Sequence, residues 1–227
     1  MNIKVISFDA DDTLWVNEPY FQEVEKKFCS LISDYLPNDE VSKELFKTEM
    51  ANLRLYGYGG KSFVLSMIET AIKVSDSKVQ PETINNIIQL GKELLDHPVN
   101  LLDGVEHVLE TLKKKYKLII ATKGDLLDQE RKLIKSGLSS YFHHIEIMSD
   151  KKEENYSELI NHLEIKPDEF LMVGNSLKSD IIPVLNIGGN GIHIPFHTTW
   201  LHEVADVKEI TGKYNTSEKI SDMLNIL

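Results

Sequence analysis

Asp9, Asp11 and Asp12 place three carboxylates within four residues, in the segment Phe8-Asp9-Ala10-Asp11-Asp12-Thr13-Leu14. Neighbouring anions repel, and each is costly to bury without a partner, so packing alone does not account for them. A cation that neutralises them does. A hard divalent ion suits an all-oxygen set, and Mg²⁺ in particular takes one or two protein carboxylates and completes its octahedron with water and a substrate phosphate. The plainer alternative is a solvated acidic turn in which Asp12 caps a helix, since Asp is common in turns.

Three later segments have complementary chemistry. Thr122-Lys123-Gly124-Asp125 offers a hydroxyl and backbone N–H groups at a helix start, a seat for phosphate oxygens. Ser149-Asp150-Lys151-Lys152 brings two lysines, one of which could offset the clustered negative charge; taken alone, the pair reads as a solvated surface. In Gly174-Asn175-Ser176-Leu177-Lys178-Ser179-Asp180 the glycine permits a sharp turn, and Asp180 follows as a further carboxylate for the ion.

Each of these segments follows a short apolar run. Ile3 to Phe8, Lys117 to Thr122, His144 to Ser149 and Glu169 to Gly174 read as strands buried on both faces, and Gly191 to Pro195 as one more. Between them the apolar period becomes helical: Val105, Val108, Leu109 and Leu112; a helix opened by Asp125 as N-cap and ended at Gly137; Asn155 to Leu163; and about Ser179 to Ile187, with Pro183 at a kink or short first turn. This alternation predicts an α/β fold, a parallel sheet covered by helices, with ligands at the carboxyl ends of its strands. From Glu18 to about Asp96 the reading is helical throughout. Stripes such as Phe21, Val24, Phe28, Leu31 and Ile32 are broken at Pro37-Asn38-Asp39 and Gly57 to Gly60, and Pro81 opens a fourth helix. The expected division is a core of residues 1–16 and 99–227 with a helical insert at 17–98.

Taken together, the four motifs resemble the haloacid dehalogenase superfamily of phosphohydrolases over nearly the whole chain. The match is Asp-x-Asp-x-Thr at Asp9 to Thr13, Thr122, a lysine at Lys151 or Lys152, and Gly-x-x-x-x-x-Asp at Gly174 to Asp180. The resemblance implies a Rossmann-like core with a helical cap inserted after the first strand. It implies Asp9 as the nucleophile, forming an aspartyl-phosphate, and Asp11 as general acid and then base. It implies Mg²⁺ held by Asp9, the Asp11 carbonyl and Asp180, with Asn175 among the metal-site residues, and Thr122 and the lysine on phosphate oxygens. Counting back from Tyr156 with the family's spacing favours Lys151. The family's usual Asp after the fourth-motif glycine is here Asn175, which removes one negative charge near the ion.

The expected activity is a Mg²⁺-dependent phosphomonoesterase for a small phosphorylated metabolite, of the phosphoglycolate phosphatase type. A phosphosugar mutase shares the motifs. A haloacid dehalogenase needs neither Mg²⁺ nor an acid for a leaving alcohol, so Asp11 and Asp180 weigh against it. Asn175 makes a catalytically weak regulatory protein conceivable, and the retained Asp9 and Asp11 oppose it. Arg54, Tyr56, Tyr58 and Lys61 flank the glycine-rich break and are candidates to meet the rest of a substrate or, equally, ordinary surface side chains at a helix turn. His193, His197 and His202 lack zinc-ligand spacing.

Composition bounds the rest. The chain has 227 residues, 25 Lys plus Arg against 36 Asp plus Glu, a net charge of −11 and one cysteine. This length allows one or two domains, and the charge argues against nucleic acid or an anionic membrane as partner. The start, Met1-Asn2-Ile3-Lys4, carries no secretion signal and no run approaches 18 apolar residues, so a cytoplasmic location is expected. Cys29 lies in a helical stripe and reads as a small apolar side chain.

Overall fold

β-branched and aliphatic residues dominate four short runs that become adjacent strands of one sheet: β1 (Val5–Phe8), β2 (Lys117–Lys123), β3 (Ile145–Met148) and β4 (Phe170–Gly174). The structure, a computed structural model, describes residues 2–204 and 214–227. β5 (Asn190–His193) and β6 (Asn215–Thr216) complete six parallel strands in the order β3-β2-β1-β4-β5-β6. The two-residue β6 carries too short an apolar signal to be read from sequence. Register pairs Phe8 with Ile120 on one side and Val173 on the other, so β1 is central and its carboxyl end lies between those of β2 and β4.

Successive strand residues point to opposite faces, and both faces are dry. Ile6, Phe8, Leu118, Ile120, Leu171 and Val173 pack with Val105, Val108 and Leu109 of α5 (Val105–Leu112). Val5, Ile119, Ala121, Phe170 and Met172 pack with Tyr156, Leu159 and Ile160 of α7 (Glu153–His162) and Val184 of α8 (Ile182–Asn186). This two-faced burial explains why the strands read as continuous apolar runs rather than alternating ones.

The chain divides into two compact units, Met1–Glu18, Val99–Lys123 and Gln129–Leu227 in one, Pro19–Pro98 with Gly124–Asp128 in the other. The second is helical: α1 (Glu18–Leu31), α2 (Asn38–Tyr56), α3 (Gly60–Val74) and α4 (Pro81–Asp96). Val24, Phe28, Ile32, Leu45, Phe63, Met67, Ile87 and Leu94 make its core. Cys29 belongs to that core, and burial pushes its thiol up to about 11, which suits an inert packing residue. The Asp125 carboxylate, expected to cap its own helix, accepts the Lys61 N–H at the start of α3 at 3.0 Å. No helix among the described residues is long and apolar enough to cross a membrane.

Candidate active site

The chain turns sharply after β1. Asp9 N–H still continues the ladder to Val173 (2.8 Å), and Ala10 C=O then receives the Leu14 N–H (2.8 Å). Asp12 takes a left-handed conformation (φ 61°), which Asp tolerates better than most residues. Its carboxylate accepts the N–H groups of Asn17 (2.8 Å) and Glu18 (3.0 Å), just where α1 begins. Burial pushes Asp12 up to about 7, partly offset by these N–H groups. Of the three clustered aspartates, Asp12 is therefore the helix cap, while Asp9 and Asp11 turn to other partners.

Asp9 meets Lys151 and Asp180. The Lys151 ammonium, 3% exposed at the end of β3, donates to Asp9 Oδ1 and, at 2.6 Å, to Asp180 Oδ1. Lys152 points away and pairs with Asp150 on the surface. Thr13 Oγ1 reaches Asp9 Oδ2 (3.4 Å) and Asn175 Oδ1 (3.3 Å), which joins the amide to the same cluster.

Asp180 reaches this place through an irregular turn. Residues Leu177–Ile181 form a π-turn opened by the Ser176 hydroxyl, which accepts the Ser179 N–H at 3.0 Å. Such turns concentrate at functional sites because they re-aim one side chain. The regular helix expected from about Ser179 is thus replaced by a wider turn, and Pro183 sits in the first turn of α8, where its missing N–H costs no bond. Asp180 Oδ2 accepts the Ser176 N–H (2.9 Å) and lies against Gly174 so closely that a Cβ there would overlap the carboxylate. Gly174→Ala is expected to lower stability by about 1–3 kcal/mol through this overpacking. A lower urea midpoint at unchanged slope is the check.

Burial pushes Asp9 up; Lys151 pulls it down; Asp180 pushes it up again, and the result is about 7. Burial opposes the charge on Lys151, but Asp180 and Asp9 outweigh it and hold the ammonium well above its ordinary value. One ammonium therefore does not fully offset two buried carboxylates. The oxygen donors at hand, Asp9, Asp180 and the Asn175 amide, suit a further hard cation. Among the described residues no three His, Cys, Asp or Glu side chains form a metal site by themselves. Such an ion would take backbone, water or substrate oxygens as well, as Mg²⁺ commonly does.

Asp11 faces elsewhere. Trp15 Nε1 donates to its Oδ1 at 2.7 Å, Lys132 Nζ to both oxygens at 3.0 and 3.2 Å, and Gln129 Nε2 to Oδ2 at 3.0 Å. Gln129 and Lys132 lie on α6 (Leu126–Lys135), the helix that follows Thr122. Thr122, 1% exposed at the end of β2, accepts from the same Gln129 nitrogen at 2.9 Å. The Asp11 carboxylate is not part of the Lys151 cluster, so any share Asp11 has in a metal site falls to its backbone carbonyl.

Next to these residues lies a second, partly buried charge pair. Lys123 Nζ donates to Glu203 Oε1 (2.6 Å) and Ser179 Oγ (2.9 Å), and Glu203 Oε2 accepts from the Ser176 and Ser179 hydroxyls, both at 2.6 Å. Burial opposes the Glu203 charge, but Lys123 and the two hydroxyls outweigh it and bring the carboxyl from 4.5 down to about 2. A carboxyl depressed on folding stabilises above its unfolded pKa and loses that contribution as pH falls through its folded one. Glu203 should thus contribute on the order of 3 kcal/mol above about pH 4.5, fading toward about pH 2. Urea unfolding of wild type and Glu203→Gln is expected to show a stability gap that narrows over that interval.

These strand ends find their match among known proteins. Residues 3–188 match the haloacid dehalogenase-like hydrolase family. The chain belongs to that family. A haloacid dehalogenase-like family hydrolase from Xanthomonas campestris is 37% identical, with a TM-score of 0.83 over 91% of this chain and 86% of that one. Mouse N-acylneuraminate-9-phosphatase is 34% identical over 99 residues, 41% of this chain, and the match spans only 40% of that protein's length. Glyceraldehyde 3-phosphate phosphatase from Pyrococcus furiosus is 27% identical over 195 residues, 82% of this chain and 78% of that protein.

Within this haloacid dehalogenase-like frame, sequence reasoning missed Trp15, Gln129, Lys132, Lys123 and Glu203. One signal was present: Gln129 and Lys132 are three apart, hence on one face of the helix that starts beside Thr122. Glu203 carried none, because a single acid in a loop has no periodicity. Of the residues weighed for the substrate end, Arg54 and Tyr56 are exposed on α2, and Lys61 pairs with Asp125 at 3.4 Å. His193 Nε2 is 3.0 Å from the Asn175 carbonyl.

Proposed function

We propose that the chain is a phosphomonoesterase for small phosphorylated metabolites, working through an aspartyl-phosphate on Asp9. The observation that carries this reading is the buried Lys151 ammonium held between Asp9 and Asp180, a cationic seat for phosphoryl oxygens beside a carboxylate nucleophile. Phosphatases among the relatives support the reaction class.

In the first step an Asp9 oxygen attacks phosphorus, the bond from phosphorus to the substrate oxygen breaks, and Asp11 gives its proton to the departing alcohol. In the second, Asp11 takes a proton from water, the water oxygen attacks phosphorus, and the bond to Asp9 breaks to release phosphate. Dividing one hard displacement into two easier ones is the gain of covalent catalysis. Lys151 and Thr122 would hold the equatorial oxygens, where charge accumulates in the transition state. Asp9, the Asp11 carbonyl, Asp180 and Asn175 would hold Mg²⁺, which when bound neutralises phosphoryl charge and lets the anionic nucleophile approach an anionic ester. The core would comprise residues 1–16 and 99–227 and the helical cap residues 17–98, with substrate choice in the cap.

The test is a screen of phosphorylated metabolites for phosphate release, with Mg²⁺ or excess chelator, and with Asp9→Asn as control. Release that persists in chelator overturns the metal, and release that persists in Asp9→Asn overturns the covalent mechanism. Sugar-phosphate isomerisation faster than phosphate release would replace hydrolysis by a mutase reaction.

A further inference from the structure

We propose that Gln129 and Lys132 are positioning residues that hold the Asp11 carboxylate, and its distance from Thr122, in the arrangement that proton transfer requires. This rests on the reading of Asp11 as general acid and base.

A carboxylate on a two-torsion side chain, held at one oxygen, is free to swing about that bond. Trp15, from Asp11's own loop, holds Oδ1 at 2.7 Å. The donors from α6 come from 118 and 121 residues further along the chain and add contacts to both oxygens. Held from two elements, the carboxylate plane is defined. Lys132 Nζ also donates to Asn17 Oδ1 at 2.7 Å, so the ammonium itself is located by two residues and does not trail into solvent.

Gln129 couples this hold to the phosphate seat. Its Nε2 lies 3.0 Å from Asp11 Oδ2, 2.9 Å from Thr122 Oγ1 and 2.7 Å from the Lys123 carbonyl. Two amide hydrogens serve three acceptors, so one nitrogen sets the spacing between the acid/base and the hydroxyl proposed to hold phosphate. Gln129 is 1% exposed, and its Oε1 is buried with no hydrogen-bond partner among the described residues. The donor nitrogen is thus the polar end in use, and its contacts go to Asp11, Thr122 and the Lys123 carbonyl.

The sensitivity follows from geometry. Displacing a reacting group by about 1 Å can cost about a hundredfold in rate. That loss should appear where a proton must be delivered. An alkyl phosphate needs the acid for its leaving alcohol, whereas p-nitrophenolate leaves without one.

The experiment measures leaving-group release in single turnovers with enzyme in excess and Mg²⁺ present, using an alkyl phosphate and p-nitrophenyl phosphate. Wild type is compared with Lys132→Met, Gln129→Met, Lys132→Arg and Asp11→Asn. Expected is an alkyl-to-aryl rate ratio lowered about 10- to 100-fold in both methionine variants and in Asp11→Asn, and largely restored in Lys132→Arg, which keeps charged donors. Gln129→Met keeps the length of a buried side chain and adds no charge, so it carries the test even where Lys132→Met does not fold. A wild-type ratio in folded Gln129→Met, with the ratio collapsed in Asp11→Asn, overturns this proposal and leaves the reading of Asp11 intact. A wild-type ratio in Asp11→Asn removes the acid/base reading and this proposal with it.

Discussion

Replacing Asp9 by Asn is expected to lower phosphate release by at least about 10⁴-fold while leaving the protein as stable as wild type or more so. The loss in rate follows from chemistry: an amide oxygen is a poor nucleophile and forms no stable phosphoryl ester, and removal of a nucleophile costs factors of this size in covalent enzymes. The gain in stability follows from electrostatics. Burial and Asp180 push the Asp9 carboxyl up to about 7, so at neutral pH the ionised form is harder to hold in the folded protein than in the unfolded chain. Asn removes that charge and leaves Lys151 paired with Asp180. Phosphate release from the best metabolite of the screen and a thermal melt of both proteins in chelator are the measurements. A variant that melts well below wild type would show that Asp9 acts as a structural anion, not as a group held under tension for chemistry.

The second large effect runs the other way. Lys151→Met leaves Asp9 and Asp180 buried and facing the same space without their shared ammonium. Removing one partner of a buried ion pair costs about 3–5 kcal/mol, since the remaining charge is neither solvated nor compensated. For a chain of this size that corresponds to a melting temperature lower by roughly 10 °C. Millimolar Mg²⁺ is expected to restore more of the loss in the variant than it adds to wild type, because two uncompensated carboxylates then face the ion. A Lys151→Met melt within a degree or two of wild type would mean that the aspartates are neutral or open to water in the folded protein. Together the two variants distinguish the members of one cluster by sign: Asp9, the proposed nucleophile, is held against its preference, and the lysine makes holding it possible.

How far the amino-acid sequence alone reveals these features depends on the range of the interaction. The strands and most helices are local matters: an apolar run of four to seven residues between turn formers reads as a buried strand, and Phe21, Val24, Phe28 and Ile32 announce a helical face by spacing alone. The chemical candidates are legible for the same reason, since Asp9, Thr122, Lys151 and Asp180 each stand at or just past the end of a strand, and parallel strands bring their carboxyl ends to one edge of a sheet. Residue types and their order along the chain therefore carry the fold and the reaction class.

Roles within the site do not travel in that way. Asp11 and Asp12 are adjacent and chemically alike, yet one is gripped by Trp15, Gln129 and Lys132 and the other caps α1. Lys151 and Lys152 are adjacent and alike, yet one is buried between two aspartates and the other is solvated. Glu203 becomes a strongly ionised group only because Lys123 and two hydroxyls surround it. What separates such pairs is a backbone direction set by packing between segments more than a hundred residues apart, through forces that act over a few ångströms in space and leave no trace in the order of residues.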